Sequence, residues 1–198
     1  MSLPKRHRSG SLGEAIVVEI LEGVSPLQLR QMHPARDARH FLQAVSDSRD
    51  FLRVGQPWVD RIQDTVQAEY FLDSYALQAE MDNGGLWGIF IESKFCGAVI
   101  VQWIQDENRS TSLGYWLVQS SQGQSIAFQA VNVLLKYLFY SKNIYRVELS
   151  IATNNTRSVR LAERLGFRLE GVRRSAEIHN GEFLDIGCWG MLAPEFGS

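Results

Sequence analysis

Three groups of residues have types and spacings suited to chemistry. The first is the polar loop Gln119-Ser120-Ser121-Gln122-Gly123-Gln124-Ser125, which runs straight into an apolar-periodic helix from Ile126. A helix start leaves backbone N–H groups without partners and adds the positive end of the macrodipole, so such a loop suits a pyrophosphate. Gly123 lets the backbone come close to a ligand, although Gly and Ser also serve plain turn geometry. No Gly-Lys-Ser/Thr and no G-x-G-x-x-G spacing occurs, so this is neither a nucleoside-triphosphate P-loop nor a dinucleotide fingerprint. The second group is Asn154-Asn155-Thr156-Arg157-Ser158, where the Asn and Thr residues read as helix caps. Arg157, Arg160 and Arg164 follow, either as a solvated face or as phosphate contacts. The third is a lone carboxylate, Glu177, which by its place just before the turn signal Asn180-Gly181 reads as an exposed hairpin residue. Ser158, His179 and Asp185 have the types of a hydrolase triad, but no G-x-S-x-G elbow accompanies them.

Composition narrows what these groups can serve. The chain has 198 residues with 20 Lys+Arg against 22 Asp+Glu, a net charge of −2, which provides no overall basic field for nucleic acid. Hydrophobic residues make up 45% and no run approaches the ~20 apolar residues of a membrane span, so one globular domain is expected over 15–198. Residues 1–14, with Lys5-Arg6-His7-Arg8 and no apolar stretch, read as a tail rather than a signal peptide. Two cysteines, Cys96 and Cys188, lie in strand-like runs, which argues against a disulfide framework and fits a cytoplasmic protein. Four scattered histidines lack metal-ligand spacing, so no metal site is expected.

The elements that must position these residues follow from periodicity. Ile16 to Leu21 and Leu27 to Met32, around Glu22-Gly23, suggest an opening hairpin. Pro34 starts a helix with Ala38, Phe41, Leu42 and Val45 on one face, and Ser46 to Val54 reads as a second, stopped by Gly55 and Pro57. A third helix is expected from Val59 to about Glu80, with Ile62, Val66, Tyr70 and Leu77 marking its packed side. Leu86 to Glu92 and Phe95 to Ile104 read as a hairpin about Ser93-Lys94, and Ser110 to Val118 as the next strand. After the glycine loop and its helix come a strand Ile144 to Ala152 and a helix Asn155 to Leu165 closed by Gly166. The strands Leu169 to Arg174 and Leu184 to Leu192 follow. The order is mixed α/β, with antiparallel strands preceding a β-loop-α-β-α unit.

Several stretches in this order resemble the GNAT acetyltransferases, most closely the RimJ/RimL group that acts on ribosomal-protein amino termini. They are Leu113-Gly114-Tyr115-Trp116-Leu117-Val118, the loop Gln122 to Ile126, Asn154 to Ser158, and Glu163-Arg164-Leu165-Gly166-Phe167 with Glu170-Gly171. Leu29-Arg30, Asp37-Ala38, Ser48-Arg49 with Leu52, and Pro57-Trp58 extend the likeness, which covers about residues 16 to 194. It implies a twisted mixed sheet of about seven strands flanked by helices, splayed between the strand ending at Val118 and that starting at Ile144, with acetyl-CoA in the opening.

By the same resemblance, Gln122, Gly123, Gln124, Ser125 and Ile126 would hold the pyrophosphate, with Asn155, Ser158 and Arg164 also on the cofactor. Trp116, Leu117 and Val118 would line the thioester, a backbone N–H near Leu117 or Val118 polarising its carbonyl. The family usually has glycine where Ser125 stands, so its side chain would either crowd the phosphate or hydrogen-bond to it. Ser158 matches the position that protonates the departing sulfur, and Glu177 the carboxylate that accepts the amine proton. A carboxyl with an ordinary pKa of ~4.3 would need partial burial for that task near neutrality. The implied acceptor is a protein or peptide amino terminus, attacked directly in a ternary complex. An α-amine of pKa ~7.8 is about 14% neutral at pH 7 against about 0.04% for lysine, which points the same way. A small amine such as a polyamine or an antibiotic is the alternative acceptor, and a non-catalytic acyl-CoA-binding module the alternative class. The resemblance is compatible with a homodimer.

Overall fold

A computed structural model describes residues 16–17 and 27–197. The expected tail at 1–14 and the Glu22-Gly23 turn lie outside the described residues. Strands β1 (Ile16–Val17) and β2 (Leu27–Gln31) pair antiparallel, as the opening hairpin requires. Helix α1 (Pro34–Asp47) starts with Pro in its first turn and buries Asp37, Ala38, Phe41 and Val45. A four-residue α2 (Arg49–Leu52), a 3-10 turn (Pro57–Arg61) and α3 (Thr65–Glu80) complete this helical stretch. Strands β3 (Gly85–Ile91), β4 (Lys94–Gln105) and β5 (Ser110–Leu117) form a meander. The β3–β4 turn is Glu92-Ser93, both at positive φ, one residue earlier than the sequence suggests.

Then come α4 (Ile126–Lys136), which runs on as a π turn over Tyr137–Ser141, β6 (Arg146–Ala152) and α5 (Thr156–Leu165). A long hairpin of β7 (Arg168–His179) and β8 (Glu182–Leu192) ends the sheet, turning at Asn180-Gly181. The strand order is β1-β2-β3-β4-β5-β6-β8-β7. Among the described residues the sheet has eight strands, the first only two residues long, in keeping with the expected mixed sheet of about seven. Every neighbouring pair is antiparallel except β5–β6, which is parallel from Ser110↔Arg146 to Leu113↔Leu149 and no further. Beyond Leu113 the two strands part, so the expected splay is present, opened on one side by the last four residues of β5.

Two apolar clusters hold the layers. One packs α4 and part of α5 on the sheet through Leu134, Leu138, Leu149, Trp189 and their neighbours. The other packs α1 and α3 on β3, β4 and β5 through Phe41, Leu72, Ile100 and Trp116, and β6 and β8 contribute nothing to it. Arg30 on β2 forks onto both carboxylate oxygens of Asp37 at 3.0 Å, tying α1 to the sheet. Burial alone would raise the pKa of Asp37, but hydrogen bonds from Arg36, Arg30 and the His33 backbone N–H hold it at about 2.

Helix α3 corrects one expectation. Val66, Tyr70 and Leu77 are 73%, 80% and 56% exposed, whereas Ala68, Leu72 and Ala79 on the opposite side are buried. Ile62 is buried, but it lies after the 3-10 turn and before the cap Asp64, outside the helix. The helix carries apolar residues on both sides, and only its contacts with α1 and β3 select between them. Among the described residues no helix is long and apolar enough to cross a membrane.

Candidate active site at the splayed strands

The site begins with the edge of β5. Val118 donates its N–H to Cys96 O at 2.9 Å, in line with β4. Backbone groups of successive strand residues alternate in direction, so Leu117, one residue back, points its N–H and C=O the other way, into the gap. The Leu117 carbonyl there accepts Gln122 Nε2 at 3.2 Å, and two residues earlier the Tyr115 carbonyl accepts Gln56 Nε2 at 3.4 Å. The N–H of Leu117 is therefore the one aimed where β6 no longer offers a partner. Of the two N–H groups named from the sequence, that of Leu117 is the one directed into the gap. Trp116 and Val118 bury their side chains in the α1–α3 cluster instead.

The glycine loop forms the next wall. Gly123 has φ +77 and no atom within 4 Å of where a Cβ would stand, so the backbone is bare on that side. Ser125 sits in the left-handed region at φ 59, ψ 10, which explains why glycine is the easier residue here. Helices α3 and α5 start with side-chain caps, Asp64 on the Gln67 N–H and Asn155 on the Ser158 N–H. Among the described residues helix α4 has no side-chain cap, and its first-turn N–H groups find no partner. The Ser125 hydroxyl accepts a hydrogen bond from Arg164 Nη1 at 3.2 Å, and that guanidinium lies 4.1 Å over the Phe128 ring. An uncapped helix start beside a fixed guanidinium is a donor set for phosphate oxygens. Gln124 reaches back to Ser120 O at 3.5 Å, and Ile126 anchors the helix start in the core.

Across the gap stands the first turn of α5. Asn155 Oδ1 accepts the Ser158 N–H at 3.2 Å, so its capping role is real, and its amide faces Gly55. Ser158 is half-buried, and its carbonyl lies 3.5 Å from Tyr115 Oη. Burial pushes the Tyr115 phenol pKa up, with the contact to Ser158 opposing it. Arg157 leans over Phe51 at 5.7 Å, while Arg164, two turns on, serves the glycine loop.

Glu177 lies on β7 opposite Leu184, past the point where β6 ends. It is exposed, with its carboxylate 3.1 Å from His179 Nε2. The partial burial required of a base near neutrality is not supplied among the described residues. Asp185 accepts the Ser175 N–H and does not approach His179 in the manner of a triad. Sequence reasoning missed Gln56 and the pairing of Ser125 with Arg164. Both join residues far apart in the chain, 59 and 39 positions respectively, and nothing local announces them.

Known proteins share this fold and sequence pattern. The family model described as acetyltransferase (GNAT) domain matches residues 27–168. The chain is 25% identical over 150 residues to the ribosomal-protein-serine acetyltransferase of Escherichia coli, covering 76% of this chain and 84% of that protein. It is 29% identical over 165 residues to the probable N-acetyltransferase YjcK of Bacillus subtilis, covering 80% and 90%. The solved structure of RimL, a ribosomal alpha-N-protein acetyltransferase in complex with coenzyme A, superposes with a TM-score of 0.83. At 23% identity it covers 90% of this chain and 98% of its own, which establishes likeness of fold. With nearly three-quarters of its length matched by the family model and its parallel strands splayed beside an uncapped helix start, the chain belongs to the GNAT acetyltransferase family.

Proposed function

We propose that this protein is an acetyl-CoA-dependent N-acetyltransferase acting on a protein or peptide amino terminus of the ribosomal-protein kind. The observation that carries the reading is the pairing, at one gap, of the outward Leu117 N–H with the uncapped start of α4 and Arg164. The donor set fits the group: open N–H groups and a guanidinium for its phosphates, and a bare Gly123 for close approach. Acetyl-CoA, when bound, supplies an acetyl thioester. Leu117 N–H donates to the carbonyl oxygen, where negative charge builds up as the amine attacks. Gln122, Gly123, Gln124, Ser125 and Ile126 form the phosphate cradle, with Asn155 holding the α5 start in place. Ser158, at the facing start of α5, would pass its hydroxyl proton to the departing sulfur as it takes one from water. Glu177, hydrogen-bonded to His179 and exposed until an acceptor covers it, takes the amine proton in the ternary complex, directly or through water.

The named substrates of the Escherichia coli and RimL proteins support an amino-terminal acceptor. In this reading residues 15–198 form one catalytic domain that works in the cytoplasm, as a homodimer, without a metal. Calorimetric titration with acetyl-CoA and a thiol-release assay test it. The panel would hold a ribosomal-type amino-terminal peptide, a polyamine and an aminoglycoside. Acetyl-CoA binding with peptide turnover is expected. Turnover of the small amines alone would move the acceptor class, and binding without turnover would make the protein an acyl-CoA-binding module.

A further inference from the structure

The carbonyls of Tyr115 and Leu117 both point into the gap, and each is met by a glutamine amide. Leu117 is served locally by Gln122, whereas Tyr115 is served by Gln56, which comes from the segment between α2 and the 3-10 turn. The Gln56 amide has a defined orientation. Trp58 Nε1, which can only donate, gives its hydrogen to Gln56 Oε1 at 2.7 Å and leaves the NH2 group for Tyr115. Trp58 is itself held by stacking on Phe71 at 4.8 Å and by an edge contact with Trp116 at 5.6 Å. The same segment touches the far side of the gap. A Cβ at Gly55 would lie 3.5 Å from Asn155 Nδ2, and Phe51 sits under Arg157. Residues 51–56 thus bridge from the α1–α3 layer to the start of α5, across the opening that exposes the Leu117 N–H.

We propose that Gln56 is a positioning residue for the acceptor. By joining Trp58 to the free edge of β5 it holds residues 51–56 as the wall past which a peptide amino terminus must be threaded. This rests on the acetyltransferase reading. In this proposal the wall selects for a polymer: an extended peptide would run along it beyond its first residue, whereas a small amine would enter the gap without needing it.

Gln56→Glu is the discriminating variant. It keeps the size of the side chain and the oxygen that Trp58 needs, and replaces the donor to Tyr115 with a charged carboxylate oxygen that the Tyr115 carbonyl repels. The KM of a synthetic ten-residue peptide with amino-terminal serine is expected to rise about tenfold, the scale of one lost hydrogen bond. Its kcat, the KM of glycinamide and the calorimetric Kd of CoA should each stay within about twofold. Amide hydrogen exchange over 51–57 should quicken in the variant while α4 is unchanged, and this readout needs no turnover. Equal rises in KM for peptide and glycinamide, a weakened CoA Kd, or unchanged exchange would each overturn the proposal. A wild-type protein that neither binds acetyl-CoA nor releases thiol would instead sink the acetyltransferase reading, and the exchange comparison would still judge the Gln56 tether.

Discussion

The two walls of the gap are built on different principles. The proposed cofactor wall is mostly local: a positive-φ glycine, a left-handed Ser125, an uncapped helix and a nearby capped one are each specified within a few residues, and only the Arg164 contact to Ser125 reaches across the chain. The acceptor wall is assembled from afar, with Gln56 reaching Tyr115, Phe51 meeting Arg157, and Glu177 held out on a hairpin. A wall for an invariant ligand can be written as a motif. A wall that must fit one particular acceptor has to be set by packing, because the packing is what can vary without disturbing the cradle.

The sharpest way to break this contrast is Ser158→Ala, which removes the hydroxyl proposed to protonate the departing sulfur and leaves the backbone cap of α5 in place. Its kcat should fall about a hundredfold, within the range for a lost general acid, while the CoA Kd and the peptide KM hold within about twofold. Steady-state kinetics beside calorimetry read this directly. If Kd moves instead, Ser158 belongs to the cradle rather than to proton transfer.

Gly123→Val should act on the cofactor wall alone. A β-branched residue at φ +77 is strained and sets a side chain where the backbone is now bare. CoA affinity should drop about thirtyfold, or about 2 kcal/mol, with the peptide KM at saturating acetyl-CoA unaltered. A parallel loss in peptide affinity would show the walls to be one unit.

Acid should loosen the acceptor side first, because α1 leads into its wall and is tied down by Asp37. The carboxyl has a folded pKa of about 2 against an ordinary 3.8. A depressed carboxyl stabilises the fold above its unfolded pKa, and that contribution fades as pH falls from about 4 towards 2. On the order of 2 kcal/mol is at stake, and Asp37→Asn should flatten the pH dependence of thermal unfolding in that window.

The same division governs what could be read without the structure. Asn155 as a cap, Gly166 at the end of α5 and the Gly123 loop are legible because each depends on local backbone geometry, whereas the parting of β5 from β6 is legible only through the family resemblance. The packed side of α3 is not legible. Val66, Tyr70 and Leu77 compete with Ala68, Leu72 and Ala79 on the opposite side, and periodicity alone cannot choose between two apolar sides. Nor could spacing tell that the Leu117 N–H, and not that of Val118, faces the gap. That parity is set by one hydrogen bond to Cys96.

Ser125→Gly makes the smallest change and separates what is structural from what is functional within the cofactor wall itself. Glycine relieves a left-handed backbone that costs a serine about 1 kcal/mol, partly offset by the greater freedom of glycine in the unfolded chain. Thermal stability should therefore rise by a few tenths of a kcal/mol to about 1 kcal/mol. The hydroxyl that steers Arg164 is lost with it, so CoA affinity should fall about threefold even as the fold becomes firmer. Adding Arg164→Ala to each background closes a double-mutant cycle. If the two changes are additive, the hydroxyl contributes nothing through the arginine. If the Ser125 effect vanishes once Arg164 is gone, the family's usual glycine has here been exchanged for a residue that trades backbone ease for a better-aimed cation.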